Sequence, residues 1–359
     1  MLPASRAALA ALAVSLAACS AKPPADDVAS ATCLPVIGVY PSWAQETLPL
    51  AKVRWDQLSH LGLVFALPRP DGSLDTSALD ALVGPAVRAA HAQGVKVAVA
   101  IGGARGYGDA FQRIAESDER LTRFTREVSA WVQQHGLDGV DIDWEHWTRQ
   151  AKLQQPGNDP VESRQLVRLL AAMRAALPRE VQLSASIFAG PWAGPQYLPE
   201  IQQHVDFVNL MAFDFTGRWD SSPIGHHADF DTFQLALKDV VARGFARDKI
   251  VAGIPFYGKR FANGLNREVQ DVPYLTLLPS LQARKLPLER GVLDDNTYFE
   301  TPGLVARKAQ LARRQGLAGL MLFELSMDSL DPESSLLDAA TRGQQPARCA
   351  TPTVAAPQP

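Results

Sequence analysis

The sequence predicts an α/β protein in which eight parallel strands, with helices between them, close into one barrel. Three observations carry this. Eight short β-type runs recur along the chain, amphipathic helical stretches follow most of them, and the runs are apolar on both faces. Strands buried on both faces with helices between them belong to parallel sheet. Eight such units over about 310 residues have the size of a closed (β/α)8 barrel. An open doubly wound sheet shares the alternation, but it advertises a glycine-rich phosphate loop after strand one. Tyr40-Pro41-Ser42-Trp43 is nothing like one.

The runs are Val36–Tyr40, Leu61–Ala66, Val95–Ile101, Gly139–Trp144, Gln182–Ile187, Phe207–Phe213, Ile250–Phe256 and Ala318–Phe323. Helical periodicity marks Thr76–Gln93, Arg120–Gln134, Val161–Leu177, Phe233–Arg243 and Gly303–Gln315. One connection is long: the segment 257–296 leaves the C-terminal end of the seventh strand and reads as a small insertion. In a barrel that end is the functional face.

The chain has 359 residues, 47% of them hydrophobic, with 35 basic against 38 acidic side chains. That balance excludes a polycationic surface for nucleic acid. Three cysteines are too few for a disulfide scaffold, and no Cys/His cluster indicates zinc.

The termini account for the odd cysteine count. Residues 1–18 carry one charge, Arg6, before an Ala/Leu/Val run, the pattern of a secretory signal. The run is short for a membrane span of about 20 residues. It ends Leu16-Ala17-Ala18-Cys19, which resembles the lipobox of bacterial lipoproteins. The resemblance implies cleavage before Cys19, lipidation of that cysteine, and residence in the cell envelope. Ser20 then points to outer-membrane sorting in a Gram-negative source. Residues 19–33 read as a tether, 34–349 as the barrel domain and 350–359 as a disordered tail. Export implies an oxidising compartment, in which Cys33 and Cys349 are expected to pair and tie the two ends of the domain.

The most informative segment is Leu137-Asp138-Gly139-Val140-Asp141-Ile142-Asp143-Trp144-Glu145. Alternate residues of a strand share a face. Asp141, Asp143 and Glu145 therefore point one way, into the barrel, while Val140, Ile142 and Trp144 point towards the helices. Carboxylates at about 6–7 Å spacing repel, and burial disfavours their ionisation. Such a stack raises proton affinity within the set, which suits a general acid. A solvated loop or a hard-metal site are the competing explanations. The apolar residues between the acids oppose the first, and only Asp214 adds a comparable acid at another strand end.

At these residues the chain resembles glycoside hydrolase family 18, the chitinases and endo-β-N-acetylglucosaminidases. Its Asp-x-x-Asp-x-Asp-x-Glu signature is matched by Asp138, Asp141, Asp143 and Glu145. The likeness runs through Val36–Trp43, Ala100-Ile101-Gly102-Gly103, Met211-Ala212-Phe213-Asp214, Gly253–Gly258 and Gly319–Ser326, in order and at barrel spacing. It implies retaining hydrolysis of β-1,4 linkages beside N-acetylglucosamine, with the substrate's own acetamido oxygen as nucleophile. Glu145 would be acid and then base, Asp143 would orient the acetamido group, and Asp141 would sit behind it and share its proton. Asp214 would contact the reacting sugar, and Asp138 would be structural. No cofactor and no metal are implied. The expected partner is an N-acetylglucosamine oligosaccharide, with a membrane reached through the lipid anchor, no nucleic acid, and a monomeric protein. A non-hydrolytic sugar-binding relative, or one directed at peptidoglycan or N-glycans, are the alternatives.

Three departures bear on activity. Phe213 stands where the family has a tyrosine, Phe323 where it usually has a tryptophan, and Ala100 where it has a serine. Loss of one hydroxyl that acts as an oxyanion-type contact costs roughly 2.7–4 kcal/mol of transition-state stabilisation. By the same resemblance Tyr40 and Phe65 point into the barrel mouth, and Gly102, Gly103 and Met211 line it. Trp43, Trp147, Trp192 and Trp219 fall just beyond strand ends, either as sugar platforms or as loop packing. Trp55, Trp131 and Trp144 read as core, and His226-His227 as a pair of surface histidines in a loop.

Overall fold

The computed structural model describes residues 33–104, 108–145, 161–190, 196–219, 221–262, 268–294 and 296–344. Cys19, Trp147, Trp192 and Cys349 lie outside the described residues, as do the signal, most of the tether and the tail. Cys33 is disulfide-bonded.

Among the described residues twelve strands follow in chain order. They are β1 (Val36–Pro41), β2 (His60–Pro68), β3 (Leu74–Asp75), β4 (Lys96–Gly102), β5 (Gly139–Asp143), β6 (Gln182–Phe188), β7 (Phe207–Met211), β8 (Ile250–Pro255), β9 (Tyr257–Phe261), β10 (Val269–Pro273), β11 (Thr297–Tyr298) and β12 (Gly319–Phe323). Eight of them form one parallel sheet in the order β1-β12-β8-β7-β6-β5-β4-β2, and the β1–β2 pairing closes it into a barrel. These eight are the eight apolar runs of the sequence.

The helices are α1 (Val83–His91), α2 (Gly108–Ala115), α3 (Asp118–His135), α4 (Val161–Ala176), α5 (Phe230–Ala242), α6 (Tyr274–Ala283), α7 (Pro302–Arg314) and α8 (Leu336–Gln344). Three start slightly earlier than their apolar periodicity because the caps lie upstream of it. Ser117, Asp229 and Thr301 each accept the backbone N–H three residues on, a cap that contributes about 1 kcal/mol. The stretch Thr76–Gln93 is helical only from Val83. Asp75 accepts the N–H of Ser77 and Thr76 donates to Asp80, local bonds that compete with a helix start.

Segment 257–296 is more ordered than a connection. β9, β10 and β11 form an antiparallel sheet in the order β10-β9-β11, with α6 between β10 and β11 in the chain. Lys259 and Asp271 stand directly opposite each other across β9 and β10.

Most of the apolar core lies between the strands and the helices. Trp144 belongs to that layer, stacked on Phe111 of α2 with ring centroids 5.4 Å apart. The barrel interior is smaller and holds Ile37, Val39, Val64, Met211, Val251 and Met321. Gly62, Ala98, Ala100 and Gly139 occupy interior positions where barrels usually carry branched side chains. They leave a cavity of about 650 Å³ that runs from His60 and Gln182 at the strands' N-terminal ends to Phe65 and Glu145 at the mouth. The His60 Nε2···Gln182 Oε1 contact, 2.9 Å, spans its floor.

Asp138 has a structural position at the entry to β5. Its Oδ2 accepts the Val97 N–H of β4 at 2.7 Å and contacts His91 Nε2 of α1 at 2.7 Å.

Candidate active site

Strand parity places the acids. Asp141 and Asp143 line the cavity while Val140, Ile142 and Trp144 are buried in the outer core. Glu145, just past β5, is partly exposed at the mouth. The Tyr197 hydroxyl donates to the Trp144 carbonyl at 3.1 Å and fixes the backbone immediately before Glu145.

Asp141 is buried and accepts three hydrogen bonds. Ser184 Oγ lies 2.5 Å and Asn209 Nδ2 2.9 Å from Oδ1, and Ser186 Oγ lies 2.7 Å from Oδ2. Burial raises its proton affinity, and the three donors oppose that rise. These residues supply the support that Ala100, paired with Asp141 across β4 and β5, has no hydroxyl to give. Polar residues at alternate positions of an apolar strand, Ser184 and Ser186 among Leu183, Ala185 and Ile187, were the sequence signal for this group.

Asp143 is also buried, and its carboxyl is raised well above the ordinary range. Desolvation is the largest cause, followed by the charges of Glu145 and Asp141, and the side chain hydrogen-bonds Glu145. Asp141 and Asp143 line the cavity from the same face of β5. Both Asp141 oxygens are taken by Ser184, Ser186 and Asn209, and the hydrogen bond that Asp143 makes is to Glu145.

Gly102 and Gly103 close β4 against β5. Both have positive φ, and a Cβ on Gly102 would lie 2.2 Å from the Asp143 carbonyl oxygen. Gly103 N–H donates to that oxygen at 2.9 Å, and the Phe65 ring rests over Gly103. Phe65, Met211, Phe213 and Phe323 all line the cavity, with Tyr257. The Phe213 ring lies 6.2 Å from both Tyr257 and Phe323. Trp43 lines the mouth and is 57% exposed.

Two expected contacts are corrected. Tyr40 does not face the mouth. Ile37 and Val39 fill the interior, so Tyr40 points outward; it is fully buried in the outer core, with its hydroxyl donating to the Leu48 carbonyl at 2.6 Å. Trp219 is outside the cavity lining. Its ring lies against its own loop, so close that a Cβ on Gly217 would come within 2.4 Å of it.

Asp214 lines the cavity from the loop after β7, with its backbone at φ 61. Its Oδ1 receives the Tyr257 hydroxyl at 2.8 Å and Lys259 Nζ at 2.9 Å, and lies 3.1 Å from His227 Nδ1. Burial works to raise this carboxyl, but His227 and Lys259 outweigh it and hold it well below the usual carboxylate range. Lys259 also reaches Asp271 Oδ1 at 2.8 Å. The insertion therefore delivers Tyr257, Lys259 and Asp271 to the cleft. Sequence reading did not single these out, because an insertion has no barrel register to predict which side chains face inward. His227 is not at the surface: it is fully buried.

A barrel mouth with a partly exposed carboxyl hydrogen-bonded to a buried one whose proton affinity is raised, lined by aromatics, is suited to acid–base chemistry. Residues 36–328 match the profile described as glycosyl hydrolases family 18, and the chain belongs to that family. It is 27% identical over 265 residues to endochitinase 1 of Metarhizium robertsii, covering 62% of this chain and 60% of that protein. The chain thus spans less than two thirds of this relative's length. A crystal structure of a chitinase from Bacteroides thetaiotaomicron superposes with a TM-score of 0.75 at 22% identity, covering 87% of this chain and 97% of that one. A chitinase from Cycas revoluta, solved in complex with (GlcNAc)3, gives 0.71 at 20% identity over 87% and 99%. These two likenesses concern the fold.

The raised Asp143 carboxyl fixes the sign of a stability effect. A carboxyl whose folded-state proton affinity exceeds its unfolded value stabilises the fold below the unfolded pKa of about 3.9, and that contribution is lost as pH rises through the folded value. Asp143→Asn is therefore expected to melt above the wild type at neutral pH, with the difference shrinking towards pH 4. Calorimetric melting across pH 4–8 checks this, and a variant that melts lower at neutral pH contradicts it.

Proposed function

We propose that the protein is a retaining glycoside hydrolase. It cleaves β-1,4 linkages beside N-acetylglucosamine in chitin oligosaccharides or related glycans. The observation that carries the reading is the Asp143–Glu145 pair: a buried carboxyl whose proton affinity burial raises, hydrogen-bonded to another at the cavity mouth. Family membership and the chitinase names of the relatives support the substrate class.

Glu145 gives a proton to the glycosidic oxygen as the C1–O bond breaks. The acetamido carbonyl oxygen of the same sugar attacks C1 and forms an oxazolinium ion. Asp143, having handed its own proton to Glu145 before that transfer as it turned to the substrate, accepts the acetamido N–H as a carboxylate, and its charge offsets that of the ring. Glu145, now a carboxylate, takes a proton from water whose oxygen attacks C1 from the face the leaving group vacated. Two displacements at C1 retain its configuration. Asp141 stays bonded to Ser184, Ser186 and Asn209 and acts on Asp143 through its charge. Asp214 holds the reacting sugar, and Trp43 and Phe323 offer it apolar faces.

Glu145→Gln is expected to lower turnover of chitotetraose by at least about 10³-fold, in the range set by loss of general acid–base catalysis. Oligosaccharide binding by calorimetry should persist. Wild-type protein that binds but releases no reducing ends would leave a sugar-binding protein instead. Phe213→Tyr restores a hydroxyl to the cavity wall and is expected to raise kcat, by up to about 10²-fold if it bonds the acetamido carbonyl in the transition state. An unchanged or lower kcat counts against that role for the position. We also propose that Cys19 carries a lipid that holds the protein to the cell envelope. Partition into a detergent phase, lost in Cys19→Ala, is the expected result; equal partition of both proteins excludes it.

A further inference from the structure

Behind Asp214 lies a second group of buried titratable side chains. His227 is fully buried, and its ring nitrogens have different neighbours. Nε2 lies 3.1 Å from the Tyr257 carbonyl oxygen, which only accepts, so Nε2 carries a proton. Nδ1 faces two atoms of Asp214: the backbone N–H, with the nitrogens 3.3 Å apart, and the carboxylate Oδ1 at 3.1 Å. The backbone carbonyl of His227 accepts the Phe215 N–H at 3.0 Å. One residue thus lies against the main chain on both sides of the Asp214 carbonyl, with the carboxylate beside the same ring nitrogen.

That grip falls where the chain needs one. Asp214 has φ 61, a left-handed conformation that a non-glycine residue holds only when its surroundings impose it. The His227 loop is itself held from behind. His226 Nε2 donates to the Phe299 carbonyl at 2.9 Å and its Nδ1 accepts the Ala228 N–H at 3.0 Å. Burial, and then the charge of Lys308, push His226 down to about 3, so that it stays neutral. Lys308, buried in α7, donates to the Ala228 carbonyl and to the buried Glu300. The His226 and His227 rings stack, with centroids 5.9 Å apart.

We propose that His227 is the positioning residue for Asp214, and through it for the sugar at the cleavage point. The second half of this rests on the glycosidase reading above. The action depends on the proton at Nδ1. A neutral ring accepts the Asp214 N–H and fixes the backbone, whereas a charged ring donates to Oδ1 and fixes the carboxylate. The other groups facing Asp214 are Tyr257 and Lys259 on β9, with Asp271 of β10 beyond Lys259. Behind His227 stand His226, Glu300 and Lys308. Tyr257 and Lys259 also reach Oδ1, whereas the Asp214 backbone N–H faces His227.

The test compares His227→Ala with His227→Asn, whose amide places a polar atom where Nδ1 sits. His227→Ala is expected to lower kcat on chitotetraose by about 10- to 100-fold, the scale of a displaced contact group, with a smaller change in KM. The acid limb of kcat/KM should move to higher pH, because Asp214 loses a partner that favours its ionised form. His227→Asn should recover most of the rate. Carbon NMR of the labelled Asp214 carboxyl reads the same contact without turnover: its midpoint rises in His227→Ala. An unchanged Asp214 midpoint, or a rate loss that only tracks the folded fraction with the acid limb in place, overturns the proposal. Wild-type protein lacking turnover would remove the glycosidase reading, and the carboxyl titration would still decide whether His227 holds Asp214.

Discussion

Asp143 is a buried carboxyl placed between two others, and much of the site is arranged around keeping it there. Its neighbours on the strand face are Asp141, which burial also pushes towards the protonated form, and Glu145, which reaches the mouth. Three like charges in a low-dielectric interior are not compatible with folding unless protons or donors reduce them. The structure uses both. Ser184, Ser186 and Asn209 surround Asp141 with donors, and burial raises the proton affinity of Asp143, which hydrogen-bonds Glu145. The condition that makes the stack tolerable is also the one that makes it an acid.

Around that strand the barrel divides its labour by face. The outer layer is dense and apolar, carrying Trp144, Phe111 and Phe124, and it holds β5 against the helices. The inner layer is built from small residues and leaves room below the acids. Of the aromatics that line the cavity, Phe65, Phe213, Tyr257 and Phe323 lie at the C-terminal end, where they form the cleft wall, while Phe207 starts β7 at the other end. On the far side the insertion adds a second charge cluster of opposite tendency. Lys259 lies between Asp214 and Asp271 and, with His227, holds the Asp214 carboxyl low, while burial raises that of Asp143. The cleft thus sets a carboxyl raised by burial and a carboxylate held low by its partners two strands apart.

Much of this was legible in the chain, for a physical reason. A strand with acids on one face and large apolar groups on the other carries its own orientation, so Asp141, Asp143 and Glu145 could be pointed inward from parity alone. Tyr40 could not. Val36–Tyr40 is apolar throughout, parity gives two classes without saying which is inside, and the resemblance chose the wrong one. His227 was missed because a loop has no period, and a histidine pair in such a segment looks solvated until the elements that cover it are known. Phe299 and Lys308, which help enclose that loop, lie more than seventy residues further along the chain. Lys259 and Asp271 share that difficulty, since their pairing depends on the register of a small sheet inside the insertion.

The closure of the barrel has a consequence for how the molecule meets its surroundings. β1 sits between β12 and β2, and all eight barrel strands run in one direction. Cys33 and Leu34 therefore enter at the face where the strands begin, while the cleft opens where they end, about 20 Å away for a strand of this length. Anything that holds the chain by the residues before β1 grips the blunt end of the cylinder. The cleft is then presented outward, like the open end of a cup standing on its base. Whatever lies behind the base leaves that open end unobstructed.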